Sequence, residues 1–456
     1  MGRLPAAWPD TDLDVDVVVI GGGACGMVAA LRAAAGGLTV ALFEKSTQHG
    51  CNSQVSSGSL AAAGTRWQRA AGIDDSPQRQ ADDILRESGD ESTRPLVEAV
   101  CGVAPSILDW LDDDLGHTLE LGGDMRRHGM SVPRLHTDPA RHGGIALVRT
   151  LRAAIAANGA IAFVDNTPGV DLLCDEDGVV VGAVVLQNGE EAEVRSRAVV
   201  LASDGFAANT ELLAAYLPEA VDDVFQGVST STGDALAWAI ELGAATRNMT
   251  SFLGSGMVVP GYATRINPSL PFWGAMLVGL DGRRFVDEHE HGYSSLATVL
   301  RTLPRRRAVL VWDEGMHAAS LQSELMRESE RAGAFRRYDD TASLCAALGV
   351  EHTAFAETVA GFVGHDEVSG ASRPLAAPFY AAPLTSGILA TQGGLDIDTT
   401  GRVLRADGTV IEGLFAGGGT AVGISGPSSR GYSSGNGLLS ALGLGWIIGN
   451  HLAGRG

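Results

Sequence analysis

Three glycines, Gly21, Gly23 and Gly26, follow the β-branched run Asp16-Val17-Val18-Val19-Ile20. An acid, Glu44, closes a second apolar run 23 residues after Gly21. This is the arrangement that holds a dinucleotide. Gly21 permits a tight turn, Gly23 lets the backbone approach a pyrophosphate, and Gly26 lets a helix lie close on a strand. The helix that follows this turn, which also holds Ala24 and Cys25, offers unpaired N–H groups and the positive end of its dipole to the phosphates. Glu44, with Lys45 beside it, stands where a carboxylate accepts hydrogen bonds from ribose hydroxyls. The glycine pattern alone arises by chance in a chain with 60 glycines. The strand before it, the helix after it and the acid at a strand end give it meaning.

Further small, polar runs recur downstream. Cys51-Asn52-Ser53 and Ser56-Ser57-Gly58 come directly after Glu44. Ala202-Ser203-Asp204-Gly205 leads to Asn209, and Gly417-Gly418-Gly419 and Tyr432-Ser433-Ser434-Gly435-Asn436-Gly437-Leu438-Leu439 come near the end. Groups able to move a proton are fewer. His289 and His291 have the spacing of a metal pair on an extended segment, but no third ligand is evident, so no metal site is expected. Arg430 is equally readable as a binder of an acidic substrate group or as surface. Arg305-Arg306-Arg307 reads as a solvated face. Arg134 and His136 lie in a loop that could reach a site. His49 reads as solvated.

Six ordered pieces carry a resemblance: GGGACGMVAAL, FEKSTQHGCNSQVSSGSLAAAG, VVLASDGFAANTELL, DGRRFVDE, PFYAAPLTSGILATQGGLDID and EGLFAGGGTAVG followed by SSGNGLLSALGLG. Over nearly its whole length the chain resembles the flavoprotein superfamily of soluble fumarate reductases, succinate dehydrogenase flavoprotein subunits and 3-ketosteroid Δ1-dehydrogenases. The resemblance implies an α/β fold: a Rossmann-like, glutathione-reductase-like FAD-binding domain with an inserted α+β capping domain. It implies that the substrate sits between flavin and cap. It places Ser53, Ser57 and Gly58 along the pyrophosphate and isoalloxazine, and the backbone of Gly435 to Leu439 against the flavin pyrimidine ring. A helix starting at Asn436 would direct its positive end at the flavin carbonyl, where negative charge develops on reduction. Relatives with covalent flavin use a His in the run after the ribose acid. Asn52 stands there, so the FAD is expected to be non-covalent.

The shared reaction of that superfamily moves a hydride between carbon and flavin, and a proton to or from a side chain, across a C–C bond beside an electron-withdrawing group. Fumarate reductases carry a catalytic Arg beyond their RFVNE motif, a His before TMGG and an Arg in NRLGGN. Here those places hold His289 to Tyr293, Leu389-Ala390 and Tyr432. A dicarboxylate would then be poorly paired in a closed site, which costs several kcal/mol. Tyr293 and Tyr432 lie within about one residue of the two tyrosines used by the ketosteroid branch. A tyrosine hydroxyl and a backbone N–H such as that of Gly435 can polarise a ketone oxygen. A second tyrosine, with a free pKa of about 10, can take the neighbouring proton if a helix end lowers that value. The expectation is therefore dehydrogenation of a ketone, or reduction of the enone, on an apolar small molecule, with an external electron acceptor or donor. The alternatives are a reductase or dehydrogenase of a non-fumarate carboxylic acid, with Arg430 as binder, and an electron-transfer subunit without its own C–C substrate.

These residues need a scaffold to bring them together. The pattern predicts a strand at 16–20, a helix to about Ala35 and a second strand from Leu38 to Phe43. Helices are expected within 76–113 and from Ile145 to Asn158, then a β-meander from Ala162 to Leu201 with a turn at Asn188-Gly189. The texture changes from about residue 250. The expected domains are 1–250 and 387–456 for FAD and 251–386 for the cap. A final helix is expected from about Asn436 to Ala453.

Composition is consistent with this. Charged residues make up 19% and hydrophobic residues 45% of 456, an ordinary globular balance. A net charge of −21 argues against a nucleic-acid groove or an anionic membrane surface. Residues 1–13 show no apolar leader, and no uncharged run reaches the ~18 residues of a transmembrane helix. Five scattered cysteines without CxxC spacing point to a reducing, cytoplasmic setting without disulfides, haem or iron–sulfur cluster.

Overall fold

The computed structural model describes residues 13–122, 127–140, 142–262, 264–366 and 370–454. The opening twelve residues, read above for a leader, lie outside the described set. The chain divides into two compact units. The first comprises the chain as far as Pro218, Gly227–Phe252 and everything from Ala390 onward. The second comprises Glu219–Gln226 and Leu253–Leu389. The short segment 219–226, placed with the first stretch on sequence texture, thus belongs to the second unit. Its strand Val224–Phe225 pairs in parallel with Gly387-Ile388, a long-range pairing that local composition cannot signal.

The first unit is built on an eight-stranded sheet. Strand Leu13–Ile20 lies between Val40–Phe43 and Glu190–Leu201, parallel to both. Its residues Val17 to Ile20 are buried, as a central parallel strand with both faces covered must be. Val410–Ala416 extends the sheet in parallel beyond Glu190–Leu201. The predicted meander differs at its start. Ile161–Val164 is not part of it but pairs in parallel with Val40–Phe43. The antiparallel meander proper is Gly169–Cys174, Val180–Gln187 and Glu190–Leu201. Asn188 and Gly189 both have positive φ, 54° and 88°, as a two-residue hairpin turn demands.

Two helices of this unit pack closely and in parallel: Ala24–Ala35 and Asn436–Leu452. Glycines permit the approach. A Cβ on Gly445 would fall 2.4 Å from the Cys25 carbonyl oxygen, and one on Gly449 2.5 Å from that of Ala29. Equal steps along both helices meet, so their N-terminal ends point the same way. At 1.5 Å rise per residue the C-terminal helix starts about 12 Å beyond the other.

The second unit carries a six-stranded sheet in which Ala308–Asp313 lies antiparallel between Met276–Gly279 and the long strand Phe379–Thr391. Trp312, Leu310, Met276 and Phe355 are fully enclosed in its core. The basic cluster is not simply solvated. The Arg306 guanidinium lies 3.5 Å from the buried Asp223 carboxylate, and Arg305 and Arg306 both adopt left-handed backbone.

Candidate flavin and proton-transfer site

Each glycine of the first turn has a distinct reason to lack a side chain. Gly21 has φ +111°, and a Cβ there would fall 2.3 Å from the Ala202 oxygen. A Cβ on Gly26 would fall 2.0 Å from the Gly21 oxygen. Gly23 faces open space, its nearest such neighbour being Cys51 Cβ at 4.0 Å. Ala24 N–H donates to Ser53 Oγ at 3.3 Å, and Met27 N–H to the Gly23 carbonyl. The N–H groups of Cys25 and Gly26 find no acceptor among the described residues. An anion fits that cradle.

Glu44 is buried at the end of its strand. Its Oε2 accepts Gly22 N–H at 2.7 Å and its Oε1 accepts Ser46 N–H at 2.8 Å. These bonds aim the carboxylate and leave lone pairs for ribose hydroxyls. Lys45 turns elsewhere, to Asp234 at 2.8 Å and Thr232 at 2.9 Å. Burial pushes the Cys25 thiol up to about 12 and raises that of Cys51, which favours the protonated, less reactive thiol in both.

The remaining predicted positions gather around this turn. Gly58 has φ +68°, and a Cβ there would strike the Gly143 backbone. Ser57 Oγ donates to Ser59 Oγ at 3.1 Å. Ala202 is buried and Ser203 half-buried. A Cβ on Gly205 would fall 2.0 Å from Thr391 Oγ1, which accepts Phe206 N–H at 3.1 Å. A Cβ on Gly418 would fall 3.1 Å from Cys25 Cβ. Gly419 lies against Asp204, its would-be Cβ 2.3 Å from Asp204 Oδ1. Asn209 is different. Its side chain caps the helix Thr210–Tyr216, accepting from Glu211 and Leu212 N–H at 3.1 Å.

Gly435 ends the C-terminal loop in left-handed backbone, φ +87°, and a Cβ there would fall 3.0 Å from Ala61 N. Asn436, Leu438 and Leu439 are buried. Leu439 N–H bonds back to the Gly435 carbonyl, and Asn436 N–H to that of Ser433. Leu438 N–H has no acceptor among the described residues. Gly437 N–H donates to the Tyr432 hydroxyl oxygen at 3.4 Å. Tyr432 is itself only 7% exposed. The two parallel helix ends, staggered by about 12 Å, thus leave the N–H groups of Cys25, Gly26 and Leu438 without an acceptor among the described residues.

The matching family model, described as FAD binding domain, covers residues 16–438. The chain belongs to that family. It is an FAD-dependent oxidoreductase with a mixed α/β flavoprotein fold. An NADH:fumarate oxidoreductase of Klebsiella pneumoniae (strain 342) is 30% identical over 452 residues, covering 96% of this chain and 48% of that protein. The chain therefore spans about half the length of that relative. A flavocytochrome c3 fumarate reductase in its open conformation superposes with a TM-score of 0.81 at 28% identity, covering 98% of this chain and 79% of the other. A 3-ketosteroid-Δ4-(5α)-dehydrogenase from Rhodococcus jostii has TM-score 0.80 at 24% identity, covering 99% of each chain. That last likeness is one of fold.

In the second unit, Tyr293 opens the helix Tyr293–Thr302. It lines a small pocket with His291, Glu288 and the apolar Met257, Phe272 and Leu277. Glu288 is buried, paired with Arg284 and accepting Leu277 N–H at 2.9 Å. The RFVDE motif thus anchors its loop to the strand Met276–Gly279. His289 and His291 do not lie on an extended segment. A turn closes from Glu290 N–H to the Asp287 carbonyl, and the His289 ring packs on Phe272 and His365.

Arg430 is exposed on a short turn. Arg134 is locked in the core between Asp75 at 2.7 Å and Asp83 at 2.5 Å. His136 is fully enclosed, 2.9 Å from Thr65 Oγ1. Both serve the small sheet of Leu60-Ala61, Leu135–Thr137 and Glu120-Leu121. Among the described residues no group of three or more metal-ligating side chains comes together, and no helix is long and apolar enough to cross a membrane. Asp204, given no role of its own in the sequence, sits in left-handed backbone, φ +71°.

Proposed function

We propose that the chain transfers two hydrogens across a C–C bond beside a carbonyl, as a ketone dehydrogenase or enone reductase for an apolar small molecule, exchanging electrons with an external partner. The observation that carries this reading is the buried Tyr432 hydroxyl held by Gly437 N–H at a helix start. That N–H takes a lone pair of the oxygen and directs the phenolic proton towards another acceptor. The positive helix end stabilises negative charge there. Tyr432 thereby suits exchange of a proton with a carbon next to a carbonyl. Gly435 N–H is assigned to the carbonyl oxygen. Bound FAD supplies the hydride acceptor or donor.

A second reading, reduction of a carboxylic enoate, draws on the 30% identical relative named a fumarate oxidoreductase. The test is to mix the purified yellow protein anaerobically with cyclic ketones, then reduce it and mix it with enones, fumarate or aryl acrylates, following flavin absorbance. Reaction with ketones or enones is expected. Reoxidation by enoates alone would replace the ketone reading, and no response to any compound would leave an electron-transfer subunit.

A further inference from the structure

Asp204 holds an unusual position in the first unit. Its backbone is left-handed, φ +71°, a region that disfavours non-glycine residues and that Asp tolerates better than most. Its Oδ2 accepts the Asn52 amide at 2.6 Å and the Ser231 hydroxyl at 2.6 Å. Its Oδ1 accepts Gly205 N–H at 2.9 Å, and its carbonyl accepts the Thr420 hydroxyl at 2.9 Å. Asn52 in turn accepts Val228 N–H at 3.2 Å. Three loops assigned to the cofactor, 51–58, 202–206 and 418–420, therefore meet at one residue, Asn52 at its carboxylate and Thr420 at its backbone carbonyl. Every donor to it is neutral, and among the described residues no ion pair to Asp204 is formed. Short bonds from neutral donors orient a carboxylate without cancelling its charge.

We propose that Asp204 is a charge-setting residue for the flavin: its fixed negative charge, uncompensated at the meeting point of the cofactor loops, makes the bound FAD harder to reduce and so a stronger hydride donor once reduced. This rests on the reading that these loops hold FAD. Adding electrons near a fixed anion is opposed by Coulomb repulsion, which at part-buried sites is felt over several ångströms. Asp204→Asn removes the charge and keeps the shape. Asp204→Gly removes the side chain and suits the backbone angle.

The experiment is an anaerobic titration of the purified holoprotein against a reference dye, for the native protein and both variants, with FAD content determined by absorbance after heat release. Both variants are expected to keep FAD and to shift the flavin midpoint potential to more positive values. The equilibrium constant for reduction by the dye should rise on the order of tenfold. Unchanged potentials in FAD-replete variants would overturn the proposal. Loss of FAD from both variants would also overturn it, assigning Asp204 to loop structure alone. A native protein that purifies without FAD and does not take it up would instead refute the assignment of the loops.

Discussion

Gly445→Ala tests the helix pair on which the flavin site is built. The new methyl would fall 2.4 Å from the Cys25 carbonyl oxygen and 3.1 Å from Val28 Cβ. Both belong to the helix that opens the dinucleotide turn, and the carbonyl cannot rotate away. The helices must separate by about an ångström, at an overpacking cost of roughly 1–3 kcal/mol. The intrinsic gain of alanine over glycine in a helix, about 1 kcal/mol, offsets only part of this. Gly102 supplies the opposite case. It lies exposed within the helix Arg94–Asp109, and a Cβ there meets nothing within 4 Å. The same substitution should stabilise by about 0.5–1 kcal/mol. Thermal unfolding of the holoproteins should therefore show opposite signs, with Gly445→Ala lowering Tm by several degrees and releasing FAD at lower denaturant. A Gly445→Ala protein as stable and as tightly loaded as the native one would refute the close parallel packing.

Tyr432→Phe should retain FAD and lower turnover by about 10²–10⁴-fold, the usual span of a lost proton-transfer group; the readout is the rate of flavin reduction or reoxidation with the substrate that responds best. Burial holds His136 neutral in the fold, its value pushed down to about 4, whereas the unfolded chain binds the proton near 6.5. The unfolded state therefore gains protons first as pH falls. Stability should decline between about pH 6.5 and 4, by roughly 2–3 kcal/mol from this residue, and urea midpoints should show a shallower acid decline in His136→Gln. Arg134→Met leaves Asp75 buried without a cation and Asp83 with Arg86 alone. A loss of about 3–5 kcal/mol is expected, read as an earlier urea transition; an unchanged midpoint would mean that the carboxylates are solvated.

Local pattern was enough to locate the dinucleotide turn. Strand, glycine triplet, helix and terminal acid lie within thirty residues, and each owes its character to neighbours in sequence: β-branching for a doubly covered strand, missing side chains for a close turn. The C-terminal loop was likewise legible, because Gly435 and the apolar helix behind it are adjacent in the chain. Pairings between distant segments were not. Ile161–Val164 looks like the first strand of a meander and lies instead beside Val40–Phe43, since alternation reports burial but not partner. Val224–Phe225 joined the other unit for the same reason.

Side chains followed the same division. Residue type and spacing marked Gly21, Gly23, Gly26, Glu44, Tyr432 and Gly435 as a set that one fold could use. Only the folded chain decided that Lys45 turns to Asp234, that Asn209 caps a helix, that Arg134 and His136 belong to the core, and that Asp204 gathers Asn52, Ser231 and Thr420. A hydrogen bond depends on two atoms meeting within about 3 Å at a fixed angle. When their residues lie more than 150 positions apart, as Asn52 and Asp204 do, only the packing of the elements between them sets that distance. The chain as written determined the cofactor, through backbone that only glycine allows; the tertiary structure decided which charges and hydroxyls surround it.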